Sequence, residues 1–312
     1  MAKKMKKAAS ASNSGGAKSG KIYKFIDLFA GIGGFHLAFH RQGCDCVFAS
    51  EWDDNARRTY IENYKVISPG LFKSPGLFAG DITKVAEKDI PPFDILTGGF
   101  PCQPFSQAGF KRGFEDTRGT LFFDIARIIK HHQPKAFFIE NVRHLAKHDG
   151  GRTLEVIRRT LADELGYSFH AKIVKASDHN LPQHRPRLFM VGFKDPTIQF
   201  NFPPPEPLRI TMSHIWGGNC DRKIGFTLRV GGRRSGINDR RNWDMYRVDG
   251  RVVTLRPKQG LKMMGFPSTF RFPVSETDAM KQLGNSVAVN AIEAVAHSII
   301  TALKESAAEG KK

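Results

Sequence analysis

A single cysteine lies between two prolines in the segment GGFPCQPFSQAG, residues 98–109. Pro101 and Pro104 restrict the backbone on either side of the Cys102 thiol and stiffen the loop that carries it. A structural zinc site would need further ligands at a regular spacing, and the sequence has no second cysteine pair at that spacing. A thiol held in one position suits a nucleophile, so the segment predicts that Cys102 reacts with a bound substrate.

A carboxyl group and two arginines lie at the ends of other apolar segments. Glu140 is near the end of AFFIENV, where burial is expected to raise the pKa of its carboxyl and keep it partly protonated. Arg185 and Arg187 lie in PQHRPR, next to the apolar run LFMVGF. Side chains two residues apart in an extended segment share a face. We therefore expect both guanidinium groups to point the same way and to steady a carbonyl oxygen or a phosphate.

Three earlier segments indicate an adenosine site. The glycine-rich segment DLFAGIGG, residues 27–34, lets the backbone come close to a ligand. Glu51 follows Gly31 by 20 residues, where nucleotide-binding sheets place an acid against the ribose hydroxyls. Trp52 could stack on a purine, and Asp81, in GDIT, could accept a hydrogen bond from an adenine amino group.

These groups together fit one kind of chemistry. A thiolate adds to an electron-poor ring, while a carboxyl group holds or protonates a ring nitrogen. The ring carbon activated by this addition then attacks the methyl group of a sulfonium. The predicted reaction is therefore methyl transfer to a ring.

All of these segments must be positioned by one sheet. From Tyr23 to Phe193 strand-like runs alternate with helix-like runs, which is typical of a doubly wound α/β sheet. We predict a Rossmann-like catalytic domain over residues 23–193 and 268–306. The stretch 194–267 is rich in Pro, Gly and Arg, and it predicts a second, smaller β/loop-rich domain. Residues 1–22, which are basic, and 307–312 are predicted tails.

The charge of the chain predicts a polyanionic partner. Its 312 residues include 48 Lys and Arg against 30 Asp and Glu, a net charge of +18. The excess remains when the lysine-rich tail is set aside, and it favours nucleic acid. Four cysteines without a disulfide pattern predict reduced thiols in the cytoplasm. No apolar run reaches the length of about 20 residues that a membrane span needs, so no membrane partner is expected.

The motifs, in this order, resemble those of the cytosine-C5 DNA methyltransferase family of the bacterial or phage modification type. The resemblance extends from about residue 23 to about residue 300. It rests on FIDLFAGIGG, SEWD, GDIT, GGFPCQPFSQAG, FFIENV, PQHRPR and QLGNSV. It implies a sequence-specific DNA (cytosine-5-)-methyltransferase that uses S-adenosylmethionine and no metal, and that flips its target base out of the duplex.

The resemblance also implies that the smaller domain over residues 194–267 is the target-recognition domain, and it implies roles for single residues. By motif match, Cys102 attacks C6 of cytosine, and Glu140 contacts N3 and the exocyclic amino group. Arg185 supports the cytosine O2 and Arg187 supports the active-site loop, which would run to about Arg118. The implied cofactor-binding residues are Phe29, Ala30, Gly31, Gly33, Gly34, Glu51, Trp52, Asp81, Ile82, Pro101, Asn285 and Ser286. Arginine reads guanine or contacts phosphate, and the expected DNA-binding residues are Gln103, Ser106, Arg229, Arg233, Arg234, Arg240 and Arg241.

Other functions compete with DNA methylation. A tRNA cytosine-C5 methyltransferase shares the catalytic motifs, but its Cys-Phe-Thr signature is here Gly225-Phe226-Thr227, which favours DNA. A relative that only binds would have a broken PCQ or ENV motif, and a nucleotide oxidoreductase would leave Cys102 without a role. We therefore expect a cytoplasmic monomer that acts on double-stranded DNA. Its partner would be a cognate restriction endonuclease in a restriction–modification system.

Overall fold

The computed structural model describes residues 23–101, 121–233 and 235–309; the predicted tail over residues 1–22 lies outside this range. The main strands are β1 (Lys24–Leu28), β2 (Asp45–Ser50), β3 (Phe78–Ala79), β4 (Ile95–Gly99), β5 (Ala136–Val142), β6 (His170–Lys175) and β7 (Pro186–Phe193). In the described residues they form one seven-stranded sheet in the order β3-β2-β1-β4-β5-β7-β6. Strands β1 to β5 pair in parallel, and β7 is antiparallel to both neighbours. The predicted doubly wound, Rossmann-like fold is confirmed.

The described residues contain nine α-helices, and most of them cover the two faces of this sheet. They are α1 (Gly34–Arg41), α2 (Asp54–Tyr64), α3 (Gly70–Lys73), α4 (Leu121–His132), α5 (Arg152–Arg158), α6 (Met212–Trp216), α7 (Pro257–Met264), α8 (Glu276–Asn285) and α9 (Val289–Glu309). Successive strand residues point to opposite faces. Phe25 therefore packs in the core shared with α1, α2 and α9, and Ile26 packs in the core shared with α4 and α5.

Side-chain caps fix the start of the two helices beside the ligand edge. Asp53 accepts a hydrogen bond from the Ala56 N–H (2.7 Å) at the start of α2. Ser275 accepts one from the Asp278 N–H (3.1 Å) at the start of α8. Each cap satisfies a backbone N–H that has no partner within its own helix, so the position of each helix follows from its sequence.

The last helix, α9, packs on α1 and fills the core on that side. By length and composition alone, the stretch Glu276–Glu309, formed by α8 and α9, could cross a membrane, but 67% of its apolar window is buried inside the protein. Packing against the sheet accounts for its apolar character. The helix continues to Glu309, beyond the boundary predicted at residue 306.

After β7 the chain forms short elements joined by loops. Besides α6 and α7, the stretch 194–267 contains a hairpin of β8 (Met245–Val248) and β9 (Arg251–Thr254). Its turn residues, Asp249 and Gly250, have φ of 50° and 76°, and positive φ at both positions suits a two-residue hairpin turn. Trp243 and Tyr246 are each 1% exposed. These two side chains pack in the core of this region and do not form a surface for base stacking.

Candidate active site

A cavity of about 960 Å³ opens at the carboxyl ends of the central strands. Parallel strands end on the same edge of a sheet, and this edge is where open α/β sheets bind ligands. Phe29 follows β1, Glu51 follows β2, Pro101 follows β4 and Glu140 lies near the end of β5; all four line the cavity. Segments that are far apart in the sequence therefore meet in one wall.

The turn after β1 has a backbone that glycine adopts most readily. Gly31 has φ of 55° and Gly33 has φ of 81°, and a Cβ on Gly33 would lie 2.3 Å from the Tyr64 ring. The Tyr64 hydroxyl donates a hydrogen bond to the Gly33 carbonyl (2.5 Å). Glu51 joins this turn to the end of β2, since its carboxylate accepts hydrogen bonds from the N–H groups of Gly31 (2.8 Å) and Asp53 (2.9 Å). Burial raises the pKa of Glu51.

Trp52 and Asp81 lie on the outer side of the cavity. The Trp52 side chain is 76% exposed although it is large and apolar, so its ring face is available to a ligand. One oxygen of Asp81 accepts hydrogen bonds from the Thr83 hydroxyl (2.8 Å) and the Thr83 N–H (3.1 Å). These bonds lower the pKa of Asp81, which keeps an ionised acceptor at the cavity rim.

The ion pair between Glu140 and Arg187 forms the inner wall. In the antiparallel pairing of β5 and β7, Glu140 lies opposite Phe189 and Val142 lies opposite Arg187. Glu140 and Arg187 are therefore diagonal neighbours on one face, with Nε of Arg187 2.9 Å from Oε1 of Glu140. Burial raises the pKa of Glu140, although Arg187 and then Arg185 oppose this effect. The direction agrees with the prediction from the apolar strand end.

Arg185 has different partners from Arg187. It is 2% exposed, it does not line the cavity, and its large desolvation lowers the pKa of its guanidinium. Its Nη atoms donate hydrogen bonds to the carbonyls of Leu228 (3.1 Å), Gly284 (2.9 Å) and Ser286. Both Nη atoms are therefore occupied by backbone acceptors inside the protein, whereas the buried Nε has no hydrogen-bond partner among the described residues.

The two arginines were expected to act from one face, and of the two only Arg187 lines the cavity. Strand β7 begins only at Pro186, and the N–H of Arg185 donates to the Gln183 carbonyl (3.0 Å) in the turn before it. The alternation of side chains holds only within the extended strand. Arg187 therefore reaches the cavity and Arg185 does not.

The comparisons with known proteins agree with this fold and edge. The model of the C-5 cytosine-specific DNA methylase family matches residues 23–217 and 221–301. The chain belongs to this family. The Type II methyltransferase M.SsoII of Shigella sonnei is 42% identical over 317 residues, covering 90% of this chain and 81% of the relative. M.HhaI of Haemophilus parahaemolyticus is 39% identical over 321 residues, covering 90% and 95%.

Solved structures share the fold of this methylase at low identity. The methyltransferase EhMeth of Entamoeba histolytica superposes with a TM-score of 0.70 at 16% identity, over 91% of this chain and 99% of that one. DNMT2 of Spodoptera frugiperda gives 0.67 at 17% identity, over 90% and 99%. At these identities the likeness concerns the architecture alone.

Most of the cofactor residues that the motifs imply do line the cavity of this methylase. They are Phe29, Gly31, Glu51, Trp52, Asp81, Ile82, Pro101 and Asn285. Ala30, Gly33, Gly34 and Ser286 do not. The last two pack together instead, since a Cβ on Gly34 would lie 2.5 Å from Val287 and 3.4 Å from the Ser286 hydroxyl.

One wall of the cavity was not predicted from the sequence. It consists of Asp278, Lys281 and Gln282 on α8, together with Val230. The signal for α8 is its helical spacing: positions 278, 281, 282 and 285 share a face, and Asn285 is a motif residue. Val230 gives no signal, because only the fold brings it to this edge.

The predicted nucleophile and part of the expected DNA contacts fall outside the described residues. They are Cys102, Gln103, Ser106 and Arg234, with the remainder of the predicted catalytic loop through Arg118. The described chain reaches the cavity wall at Pro101 and resumes in the same wall at Leu121.

Two of the arginines expected to bind DNA are held by groups of the protein itself. Arg233, whose side chain is 17% exposed, donates to the Leu255 carbonyl (3.0 Å) and lies 3.6 Å from Asp244 and 3.5 Å from Glu276. Arg241 pairs with Asp239 at 2.8 Å.

Arg229 and Arg240 have a different environment, because both are exposed and neither forms an ion pair with another described residue.

Across residues 23–101, 121–233 and 235–309, no group of three or more His, Cys, Asp or Glu is arranged so that it could hold a metal ion.

Proposed function

We propose that this protein transfers a methyl group from S-adenosylmethionine to C5 of a cytosine flipped out of duplex DNA, through a covalent adduct with Cys102. The observation that carries the proposal is the Glu140–Arg187 pair, 2.9 Å apart, in the same cavity as Glu51 and Trp52. A carboxyl group suited to a ring nitrogen and an edge suited to adenosine thus share one space. Membership of the methylase family supports the reaction class.

The outer half of the cavity fits the methyl donor. The Ser50 hydroxyl is buried in the cavity wall without a hydrogen-bond partner among the described residues, so a polar ligand atom would satisfy it. Each carboxylate oxygen accepts more than one hydrogen bond, which leaves Glu51 able to bind ribose hydroxyls. Trp52 would cover the adenine and Asp81 would accept from its amino group. When bound, S-adenosylmethionine supplies an electrophilic methyl group on a sulfonium.

The covalent step assigns a role to each reactive group of the chain. The Cys102 thiolate forms a bond to C6 of the base, which makes C5 nucleophilic towards the methyl carbon. A water molecule then accepts the C5 proton, the C6–S bond breaks to restore the thiolate, and S-adenosylhomocysteine is left as the second product. Glu140, whose pKa is raised by burial, holds the proton that is hydrogen-bonded to N3. The base must leave the duplex, because its C6 cannot be reached within the stack.

Arg187, rather than Arg185, is assigned to the cytosine O2. It lines the cavity beside Glu140, whereas both Nη atoms of Arg185 already bond to carbonyls. In this assignment Arg187 touches the base and fixes the carboxyl group, and Arg185 is a positioning residue.

The partner proposed for the remaining basic surface is double-stranded DNA. Arg229 and Arg240 are exposed and free of ion pairs to described residues, so they are the best candidates for base or phosphate contacts. Arg241 can contribute only by leaving Asp239, and Arg233 supports the recognition region instead. The enzyme would act as a monomer in the cytoplasm of a bacterial or phage-infected cell, beside a cognate restriction endonuclease.

A transfer assay tests the proposal. Purified protein is given labelled S-adenosylmethionine with duplex DNA or with tRNA, and bisulfite sequencing then locates the modified base. We expect label in DNA only, at C5 of cytosine within one sequence context. Cys102→Ser should lose turnover and keep binding of S-adenosylhomocysteine, whereas Cys220→Ser, a buried cysteine outside the cavity lining, should stay active. Label in tRNA alone, or full activity of Cys102→Ser, would contradict the proposal.

A further inference from the structure

We propose that Arg57 and Arg127 form a two-sided clamp that positions the turn at residues 80–83, and with it Asp81 and Glu51, for the adenosine part of the methyl donor. Neither arginine lines the cavity, so both act through the backbone that they hold. The inference rests on the proposed function, because the ligand is the methyl donor named there. To that function it adds two residues that fix the shape of the cavity edge where the methyl donor would bind.

Arg57 holds the turn from the α2 side of the sheet. Its guanidinium donates hydrogen bonds to the carbonyls of Glu51 (3.0 Å), Phe78 (3.1 Å) and Ala79. It also lies over the Phe78 ring, 4.4 Å from the ring centre. The ends of β2 and β3 are thereby fixed to each other and to α2, immediately before Gly80.

Arg127 holds the same turn from the opposite side, on α4. Its Nη atoms donate to the carbonyls of Ile82 (2.7 Å) and Val85 (2.9 Å), directly after Asp81. Asp124 and Glu87, at 2.9 and 3.0 Å, fix the orientation of the guanidinium. These acceptors lie on the face of the sheet packed by α4 and α5, whereas Phe78 packs on the other face.

The two arginines bracket the residues that face the ligand. Gly80, Asp81, Ile82 and Thr83 line the cavity, and the clamped carbonyls lie on both sides of Asp81. A planar guanidinium can bind two carbonyls in a fixed relative position, which the point charge of a lysine cannot do. The geometry of the fork, rather than its charge, is therefore the property that the clamp uses.

Equilibrium binding tests the clamp without relying on turnover. The dissociation constant of S-adenosylhomocysteine is measured by calorimetry for the wild type, Arg57→Met, Arg127→Met and the corresponding lysine variants. We expect each methionine variant to bind about tenfold more weakly, the effect of losing roughly one charge-assisted hydrogen bond. Lysine should rescue less than half of that loss in binding free energy. The value of kcat at saturating cofactor should stay within about twofold, because the reacting groups are untouched.

Matched controls separate the clamp from a general loss of arginine. Arg58→Met removes the exposed neighbour of Arg57, whose contact is the Pro273 carbonyl, and Arg152→Met removes an exposed partner of Asp149. Both should bind ligand like the wild type. Amide hydrogen exchange should quicken over residues 79–85 in the clamp variants alone.

The outcomes distinguish the clamp from the proposed function. Folded methionine variants that bind as tightly as the wild type, or lysine variants that restore binding fully, would overturn the clamp while leaving the methyl donor assignment intact. A wild-type protein that fails to bind S-adenosylhomocysteine would instead contradict the proposed function. If a methionine variant does not fold, the lysine variant and the exchange measurement decide.

Discussion

Substitution of the two arginines of PQHRPR should separate a structural role from a role at the base. Arg185→Met leaves the carbonyls of Leu228, Gly284 and Ser286 without their donor inside the protein. A hydrogen bond to a charged group contributes about 1.5–3 kcal/mol, and an unsatisfied buried acceptor costs about 1–3 kcal/mol. Burying the guanidinium of Arg185 costs desolvation free energy, and the methionine variant avoids this cost, which offsets part of the loss. The expected net effect is a decrease of about 3–5 kcal/mol in the free energy of unfolding.

Arg187→Met should behave in the opposite way. Its partner Glu140 already has a raised pKa and becomes neutral when the arginine is removed, so little stability is lost. The contact with the base is lost instead, and kcat/KM for DNA should fall by about 10²-fold. Thermal unfolding and single-turnover methylation of both variants provide the comparison.

The result that would refute this reasoning is specific. For a chain of this size a loss of 3–5 kcal/mol corresponds to a decrease in Tm of roughly 6–15 °C. If Arg185→Met melts within about 2 °C of the wild type and loses as much kcat/KM as Arg187→Met, then Arg185 touches the base. Arg185→Lys, which keeps the charge but not the fork, should lie between the wild type and the methionine variant in Tm.

Two further predictions concern the ligand turn and the core beneath it. Gly33→Ala should lose about 2 kcal/mol of stability and weaken cofactor binding, because its Cβ would lie 2.3 Å from the Tyr64 ring. Gly31→Ala has open space around its Cβ and should lose only about 1 kcal/mol. Equal melting temperatures of the two variants would contradict this. His36 is fully buried, and desolvation lowers its pKa to about 3 from the ordinary 6.5. Between these two pH values the unfolded chain binds a proton at His36 that the folded chain does not bind. The free energy of unfolding therefore decreases as the pH falls from 6.5 towards 3. Between pH 7.5 and 5.5 the wild type should lose about 1.4 kcal/mol more than His36→Gln, while exposed His297→Gln should match the wild type; equal losses in all three proteins would disprove the role of His36.

The cavity edge could be predicted because motif order and strand polarity are enough to assemble it. Phe29, Glu51, Pro101 and Glu140 each follow or end an apolar strand, and parallel strands bring such ends together. Glu51 and Glu140 were predicted from this rule, whereas Phe29 and Pro101 were implied by the resemblance to the family. The same reasoning located Trp52 and Asp81, whose neighbours in the sequence are strand and turn residues.

The surroundings of Arg185 and Arg233 could not be predicted, because local sequence patterns do not show contacts between residues that are far apart in the sequence. Alternation along PQHRPR put Arg185 beside Arg187, but the turn at Gln183 removes Arg185 from the strand. Arg233 was an expected DNA ligand, yet its partners are Asp244 and Glu276, and no spacing in the sequence indicates that pairing. The charge of a side chain indicates that it can form an ion pair, and only the fold determines which partner it contacts.

The buried polar contacts of PQHRPR give Gln183 and Arg185 a structural role beside Arg187, the arginine proposed to contact the base. Gln183 accepts a hydrogen bond from the Leu228 N–H (3.1 Å), and Arg185 donates to the carbonyl of the same residue. Arg185 also binds the Gly284 carbonyl, beside the cavity residue Asn285. One turn thus holds the start of the segment with Arg229 and the end of α8 in a fixed relation to the strand of Arg187. Because both side chains are buried and bonded to backbone, neither can move without breaking hydrogen bonds that water cannot replace. The positions of the segment with Arg229, the cavity edge and Arg187 are therefore set by the same few bonds.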